Sequence, residues 1–486
     1  MADHRRSDRP GVLTPSADTV PPEGGAECAA EDGASGGSSF LLTEHGVAQV
    51  FAQRKAEELR YCHDIGRWFR WTGQKWQQDK TKLAFDWARR LAADLSQSAA
   101  FKTKAITGKA AFASAVERFA QADRKIACTA EIWNPDPFLL GTPDGTVDLR
   151  TGFLRSASKS DFITKTTAVS PVDAATCPLW LLFLKQATAG DDELIAFLRQ
   201  WCGYVLTGDT REHALLFIYG PGGNGKSVFI NTIQRIVEEY CRIASMDTFI
   251  ASQSDKHPTD LAMLHGARMV VATETEEGRA WAESRIKQMT GGDMVAARFM
   301  RQDFFEYRPA FKLTIAGNHK PVLRNVDDAA RRRFNIVPFV YQPATPDRHL
   351  EKKLETEWPG ILRWMLDGCQ DWLANGLKRP AAVREATEEY FRSQDIIGRW
   401  VAERCILDAT LTSKPGALLT DCRDWAGANG ENPPTPSQFR GAVERMPGVR
   451  YVTVKGLQQV RGIGMRPPSR ADWRDDDGEG GGGWRS

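Results

Sequence analysis

At 486 residues, with 42% hydrophobic and 26% charged residues, the chain can fill ordinary cores, and its length fits two to four domains. A formal net charge of +2 excludes a whole-protein field as the basis of nucleic-acid binding, so any such binding has to come from local basic patches. No apolar run reaches the roughly eighteen residues of a spanning helix, and residues 1–39 lack the apolar core of a secretion signal, which predicts a cytoplasmic protein with no membrane partner.

The nine cysteines, Cys62, Cys128, Cys202 and Cys405 among them, form no CxxC pair. Reduced, mostly buried thiols are therefore expected in place of a zinc site or a disulfide framework.

In chain order, residues 1–39 are rich in Gly, Pro, Ala, Ser, Asp and Glu, and 467–486 end in acidic and glycine runs. Both stretches are expected to be disordered tails. Residues 40–130 combine short aromatic runs (Trp68-Phe69-Arg70-Trp71, Gly73, Trp76) with a helical pattern whose apolar face is Leu83, Trp87, Leu91 and Leu95, which predicts a small α+β module. Residues 131–210 open with short strands turning at Pro143-Asp144-Gly145 and Thr151-Gly152. A helix follows, with Leu194, Phe197, Leu198, Trp201 and Val205 on one face.

Over residues 211–345 apolar strands alternate with helical segments, the strands being 214–219, 268–273, 311–316 and 334–339. That alternation predicts an α/β domain with a largely parallel sheet. Residues 346–387 are expected as a helical linker. Residues 388–466 show helices followed by strand-like 449–454 and 457–460 around Lys455-Gly456, a winged-helix-like module. There is no internal repeat.

Gly220-Pro221-Gly222-Gly223-Asn224-Gly225-Lys226-Ser227 satisfies G-x-x-x-x-G-K-[ST] between an apolar strand and a helix. Glycines let backbone N–H groups close on phosphate oxygens, and the helix N-terminus adds partial positive charge. Lys226 is the candidate for the β/γ-phosphates of ATP and Ser227 for Mg2+. A P-loop also needs an acid at the end of a neighbouring strand, and Glu274 and Glu276 follow the run Met269-Val270-Val271-Ala272-Thr273. Asn318 ends the strand-like Leu313-Thr314-Ile315-Ala316-Gly317 and is suited to orient an attacking water. Arg331-Arg332-Arg333 could project a guanidinium onto the ATP of a neighbouring subunit.

Taken together with Asp144-Gly145-Thr146-Val147-Asp148-Leu149-Arg150-Thr151-Gly152, Trp201-Cys202-Gly203-Tyr204-Val205-Leu206-Thr207-Gly208, His257-Pro258-Thr259-Asp260-Leu261-Ala262, Thr290-Gly291-Gly292-Asp293 and Ala316-Gly317-Asn318-His319-Lys320-Pro321, the chain resembles superfamily-3 helicases over residues 130–466. The resemblance is to the phage/plasmid primase-helicase family, relatives of the poxvirus primase-helicase. It implies an AAA+-like P-loop ATPase domain, a helicase-associated domain at 131–210, and a homo-hexamer that hydrolyses ATP with Mg2+ to translocate on single-stranded DNA and open duplex DNA. It also implies a Walker B acid at Glu274 or Glu276, with Glu274 toward the metal, a sensor at Asn318 and a finger at Arg332 or Arg333.

DNA contact in such rings lies on a hairpin between the Walker B and sensor strands. Here that is the stretch Ala297-Arg298-Phe299-Met300-Arg301-Gln302-Asp303-Phe304-Phe305, which makes Arg298 and Arg301 the candidates. Family members often carry an aromatic and a lysine where this chain has Arg301 and Gln302.

In the last module, Thr435-Pro436-Ser437-Gln438 reads as a capping-box start. Phe439, Val443 and Met446 are expected to face its core. Arg440 and Arg445 on the helix, and Arg450, Lys455 and Arg461 on the hairpin, are left as candidates for duplex or origin DNA.

Residues 40–130 contain no DxD-like metal-binding pair, so primer synthesis is not expected there, and a separate primase is a candidate partner. The rivals are a bifunctional primase-helicase subunit and a DNA-loading ATPase that does not separate strands.

Overall fold

A computed structural model of the protein describes residues 42–251, 259–273, 279–301, 303–323 and 327–467. The N-terminal tail, residues 468–486, Gln302 and both candidate Walker B acids, Glu274 and Glu276, lie outside the described residues.

The first described element is α1 (Glu44–Lys55), whose N-terminus is capped by Thr43 accepting from Gly46 N. Strands β1 (Leu59–Cys62), β2 (Arg67–Trp71) and β3 (Trp76–Gln78) form an antiparallel meander, and β4 (Ala127–Cys128) adds parallel to β1. Helices α2 (Leu83–Leu95), α3 (Phe101–Thr107) and α4 (Ala110–Gln121) lie between β3 and β4.

The predicted helix at 83–95 is present, but its buried stripe is Ala84, Ala88, Leu91 and Ala92. Small side chains let α2 approach α1 and α4 closely, so Leu83, Trp87 and Leu95 are displaced to the flank. There Lys55 Nζ lies 4.1 Å from the Trp87 ring centroid. The module does not stop at residue 130, because Trp133 and Phe162 cover the fully buried Trp76.

Strands β5 (Leu139–Thr142), β6 (Gly145–Asp148) and β7 (Phe153–Arg155) form the expected pair of tight hairpins. Helix α5 (Pro178–Ala187) then leads to α6 (Asp192–Val205), on which all five predicted apolar positions are buried.

Next comes a five-stranded, fully parallel sheet built from β8 (Leu215–Tyr219), β9 (Cys241–Ile243), β10 (Met269–Thr273), β13 (Lys312–Gly317) and β14 (Phe334–Pro338), in the order β14-β8-β13-β10-β9. Four of these strands match the predicted ones to within a residue at either end. The short edge strand β9 has no separate apolar signal and was not predicted. Helix α7 (Lys226–Val237) follows β8; α8 (Thr259–Ala262) and α9 (Glu283–Gly291) flank β10. The hairpin β11 (Val295–Ala297) and β12 (Phe305–Tyr307) precedes β13, and α10 (Asp328–Arg333) precedes β14.

The stretch expected as a linker is instead core. After α11 (Leu350–Leu354), helix α12 (Trp358–Asn375) buries Ile361, Leu362, Met365, Leu366, Cys369 and Trp372 against α6. The two helices cross at glycines: a Cβ on Gly203 would overlap the backbone of Gly368 and Cys369, and one on Gly368 would overlap the Arg199 carbonyl. No larger residue fits this crossing.

Helix α13 (Ala381–Gln394) runs through the boundary expected at 388 and packs on β14, placing Tyr390 and Phe391 in one core with Phe334. The last module therefore starts at α14 (Ile396–Arg404). It continues through β15 (Cys405–Ser413), α15 (Pro415–Ala428), α16 (Pro436–Glu444), β16 (Arg450–Val454) and β17 (Leu457–Met465), with sheet order β15-β17-β16. Strand β15 is mostly exposed and so lacked an alternating signal.

The capping box at Thr435 and Gln438 forms as predicted, and Phe439 and Val443 are buried. Lys455 and Gly456 both have positive φ (50° and 78°), as a two-residue type I′ hairpin turn requires.

Candidate functional site

In a parallel sheet the loops after the strands gather at one end, and the register shows which loops those are. Tyr219 pairs with Gly317, and Ala316 pairs with Thr273. The P-loop after β8, Asn318 after β13 and the residues after Thr273 therefore leave the sheet side by side. Glu274 and Glu276 follow Thr273 outside the described residues.

The loop itself is built by close approach. Gly223 and Gly225 have φ of +77° and +85°, and a Cβ on Gly225 would meet Phe183 at 2.7 Å. Asn224 donates to the Phe339 carbonyl, and Gln342 Nε2 donates to Gly222 O at 2.6 Å, so the segment leaving the neighbouring strand β14 clasps the loop.

Lys226 is buried at the first position of α7. Its Nζ donates to Gly220 O at 2.7 Å, Pro221 O at 2.9 Å and Asn224 Oδ1 at 3.0 Å. Burial lowers its pKa from the usual lysine range, so an anion at the loop would stabilise the charged form. Ser227 and Asn318 are exposed, as groups that must reach a ligand should be. Beside the loop lies a cleft of about 330 Å3 with apolar walls from Leu179, Leu182, Phe183, Val228 and Tyr341, suited to a flat ring.

One residue at this end was not singled out from the sequence. Lys320 Nζ lies 4.3 Å from the ring centroid of Tyr219, the residue preceding the loop, and burial lowers its pKa. Its place in Ala316-Gly317-Asn318-His319-Lys320-Pro321, two residues past Asn318, was the available signal.

The arginine cluster sits at the opposite end. Helix α10 feeds β14, whose first residue, Phe334, pairs with Leu215, the first residue of β8. A five-residue strand rises roughly 16 Å, so these side chains start about that far from their own P-loop. They are not equivalent. Arg331 pairs with Glu388 and lies over the Phe391 ring. Arg333 is half-buried and donates to Thr290 Oγ1 at 3.2 Å and Ala329 O at 2.8 Å. Arg332 is exposed, and among the described residues its side chain makes only a 3.3 Å contact to the Asp328 carbonyl of its own helix.

The β11–β12 hairpin presents Phe299, Met300, Arg301 and Phe304 to solvent, with Arg301 in the left-handed region at φ +62°. Arg298 lies 4.7 Å from the Phe304 ring centroid, and neither arginine has an ion pair among the described residues. Tyr307 and, in part, Phe305 are core of the hairpin, whereas Phe304 is 60% exposed.

In the C-terminal module the candidates separate. Arg440 is tied to Glu444 at 2.9 Å and covers Tyr451. Arg445 is exposed and lines the cleft between this module and the α/β unit, so it faces that seam. Lys455 occupies the hairpin tip. Arg450 and Arg461 are exposed and directly opposite each other on β16 and β17, a like-charge pair that an anion would relieve.

Among the described residues there is no cluster of metal-ligating side chains and no helix long and apolar enough to cross a membrane. All eight described cysteines are free, most of them buried.

Comparison with known proteins gives two family matches. Residues 48–189 match the family described as D5 N terminal like, and residues 218–333 match a family of unknown function, DUF5906. A Frog virus 3 protein named "Putative helicase 022R" is 27% identical over 256 residues, which are 48% of this chain and 26% of the viral protein. A protein of the same description from Acanthamoeba polyphaga mimivirus is 24% identical over 322 residues, 60% of this chain and 33% of that protein. The matches thus span between a quarter and a third of these relatives. Among solved structures, the C-terminal region of NrS-1 in its apo form is 12% identical, with 86% of this chain and 99% of that one covered at a TM-score of 0.47.

Proposed function

We propose that this chain, whose matches support a phage or viral primase-helicase type, is an ATP-dependent replicative DNA helicase of superfamily 3, working as a homo-hexameric ring on phage, prophage or plasmid DNA. The observation that carries this reading is the division of the parallel sheet. Its P-loop end gathers Lys226, Ser227 and Asn318, while its other end carries the exposed Arg332.

In this reading the loop N–H groups and Lys226 hold the β- and γ-phosphates of ATP, and the apolar cleft beside Phe183 and Tyr341 takes the base. Ser227 and Glu274 are assigned to Mg2+, which when bound neutralises phosphate charge. Glu276 or Glu274 polarises the attacking water, Asn318 orients it, and Arg332 of the adjacent subunit stabilises the charge that develops. Arg333, held by Thr290, is the weaker candidate for the finger. Arg298 and Arg301 grip the single strand in the ring, and the C-terminal module, read as a winged helix, uses Lys455, Arg450 and Arg461 on duplex DNA.

Steady-state ATP hydrolysis with and without oligothymidine, run beside strand displacement on a forked duplex, tests the reading. Stimulated hydrolysis with displacement is expected. Stimulated hydrolysis without displacement would favour a DNA-loading ATPase, and the absence of hydrolysis would end the enzymatic reading.

A further inference from the structure

The N-terminal sheet meets the edge of the parallel sheet at a cleft of about 550 Å3. Arg70 and Lys80 form one rim of it, and Lys165 and Arg242 line the other wall. The two carboxylates in the cleft are already engaged. Glu239 accepts from Lys75 Nζ, from Thr166 N at 2.7 Å and from Thr166 Oγ1 at 3.2 Å. Asp79 accepts from Thr81 N at 2.9 Å, Thr81 Oγ1 at 2.7 Å and Leu83 N at 2.7 Å.

Arg70, Lys80, Lys165 and Arg242 are left without an ion pair among the described residues. Lys165 Nζ and Arg242 Nη1 both donate to the Glu239 carbonyl, each at 3.2 Å, so two cations converge on one uncharged oxygen. Burial, then the charge of Arg242, lowers the Lys165 pKa to about 8. The cleft's five cations, Lys75 among them, outnumber its two carboxylates, and the excess positive charge favours entry of an anion.

What the cleft offers is charge and no stacking surface, because Phe69 and Trp76 in its wall are buried. A short chain of contacts links its wall to the hairpin. The Lys165 side chain runs beside Gly266, and His265 packs edge-on against Phe305 at 5.6 Å and Tyr307 at 5.0 Å.

We propose that this cleft binds the phosphate backbone of a DNA strand that continues from the β11–β12 hairpin, a contact that reads charge and not sequence. The inference rests on the helicase reading above.

Arg70 and Lys80 are exposed and far from the P-loop in sequence, so their joint replacement by alanine leaves the fold and DNA-free ATP hydrolysis unchanged. Binding of labelled oligothymidine, measured by fluorescence anisotropy over a range of salt, reads the number of phosphates neutralised. The alanine pair should lower the slope of log K against log salt by about 1.4, at about 0.7 per lost contact. The charge-preserving pair Arg70→Lys with Lys80→Arg should keep the slope. An unchanged slope in the alanine pair overturns the proposal. So does loss of inorganic pyrophosphate binding with DNA binding intact, which would make the cleft a small-anion site. A wild-type protein that does not bind the oligonucleotide at all overturns the helicase reading, and this inference with it.

Discussion

The two ends of the parallel sheet both hold buried lysines, on different terms. At the N-terminal ends of the strands, Lys312 is 1% exposed and donates to the carbonyls of Thr207, Asp209 and Ala310. Its neighbour Arg268 donates to Leu206 O at 2.6 Å and Leu139 O at 2.7 Å. Of these acceptors Leu206, Thr207 and Asp209 lie just past the C-terminus of α6, where carbonyls have no helical partners, and burial together with Arg268 lowers the Lys312 pKa well below the lysine range. At the C-terminal ends, Lys226 is also buried, yet its acceptors belong to a glycine loop that is open at Gly222, Gly223 and Ser227. Burial alone does not mark a functional cation. Acceptors that a ligand can replace do.

Two substitutions sharpen this contrast. Lys226→Ala should bring ATP turnover down to assay background while the melting temperature stays near wild type, because the loop loses its buried cation and the core loses nothing. Lys312→Met should do the reverse, costing about 1–3 kcal/mol of stability as carbonyls at the end of α6 lose their donor and leaving turnover per folded molecule largely intact. Denaturant melts paired with hydrolysis rates separate the outcomes. Equal stability losses in both variants would mean that the P-loop lysine is part of the scaffold.

A smaller effect separates the two modules proposed to contact DNA. Arg298→Ala with Arg301→Ala should remove stimulation of hydrolysis by single strands and leave basal hydrolysis in place. Truncation after Asp395 should weaken duplex binding and its salt dependence, with single-strand stimulation retained. The cut belongs there and not at 388, since Tyr390 and Phe391 are core to the α/β unit. Anisotropy on both substrates checks the division, and stimulation lost only on truncation would place the translocating contact in the C-terminal module.

What could be read from the sequence follows from where periodicity was strong. The strand ending at the P-loop is a continuous apolar run and the one ending at Asn318 is buried along its whole length despite Lys312 and Thr314, and both were found almost to the residue. Strand β9 is three residues long and β15 faces solvent, so neither carries an apolar signature. Helix α12 looked like a linker because its partner, α6, lies more than 150 residues away in the chain, and only contact at Gly203 and Gly368 reveals the pairing. On α2, alanines and not Trp87 make the core face, a choice that depends on how closely α1 and α4 approach. Among the candidate site residues, the sequence could name the three arginines before β14 but not rank them. The ion pair of Arg331, the Thr290 contact of Arg333 and the exposure of Arg332 do so.

The central claim is that one subunit's P-loop end is completed by the other end of a neighbour's sheet. Hydrolysis by a mixture of Lys226→Ala and Arg332→Ala subunits tests it most directly, because each variant alone should be inactive, the arginine variant by about a thousandfold. If the finger acts between subunits, mixed rings contain interfaces where an intact P-loop meets an intact Arg332, and activity should return. A mixture that forms mixed rings by native mass measurement and stays inactive would contradict the account.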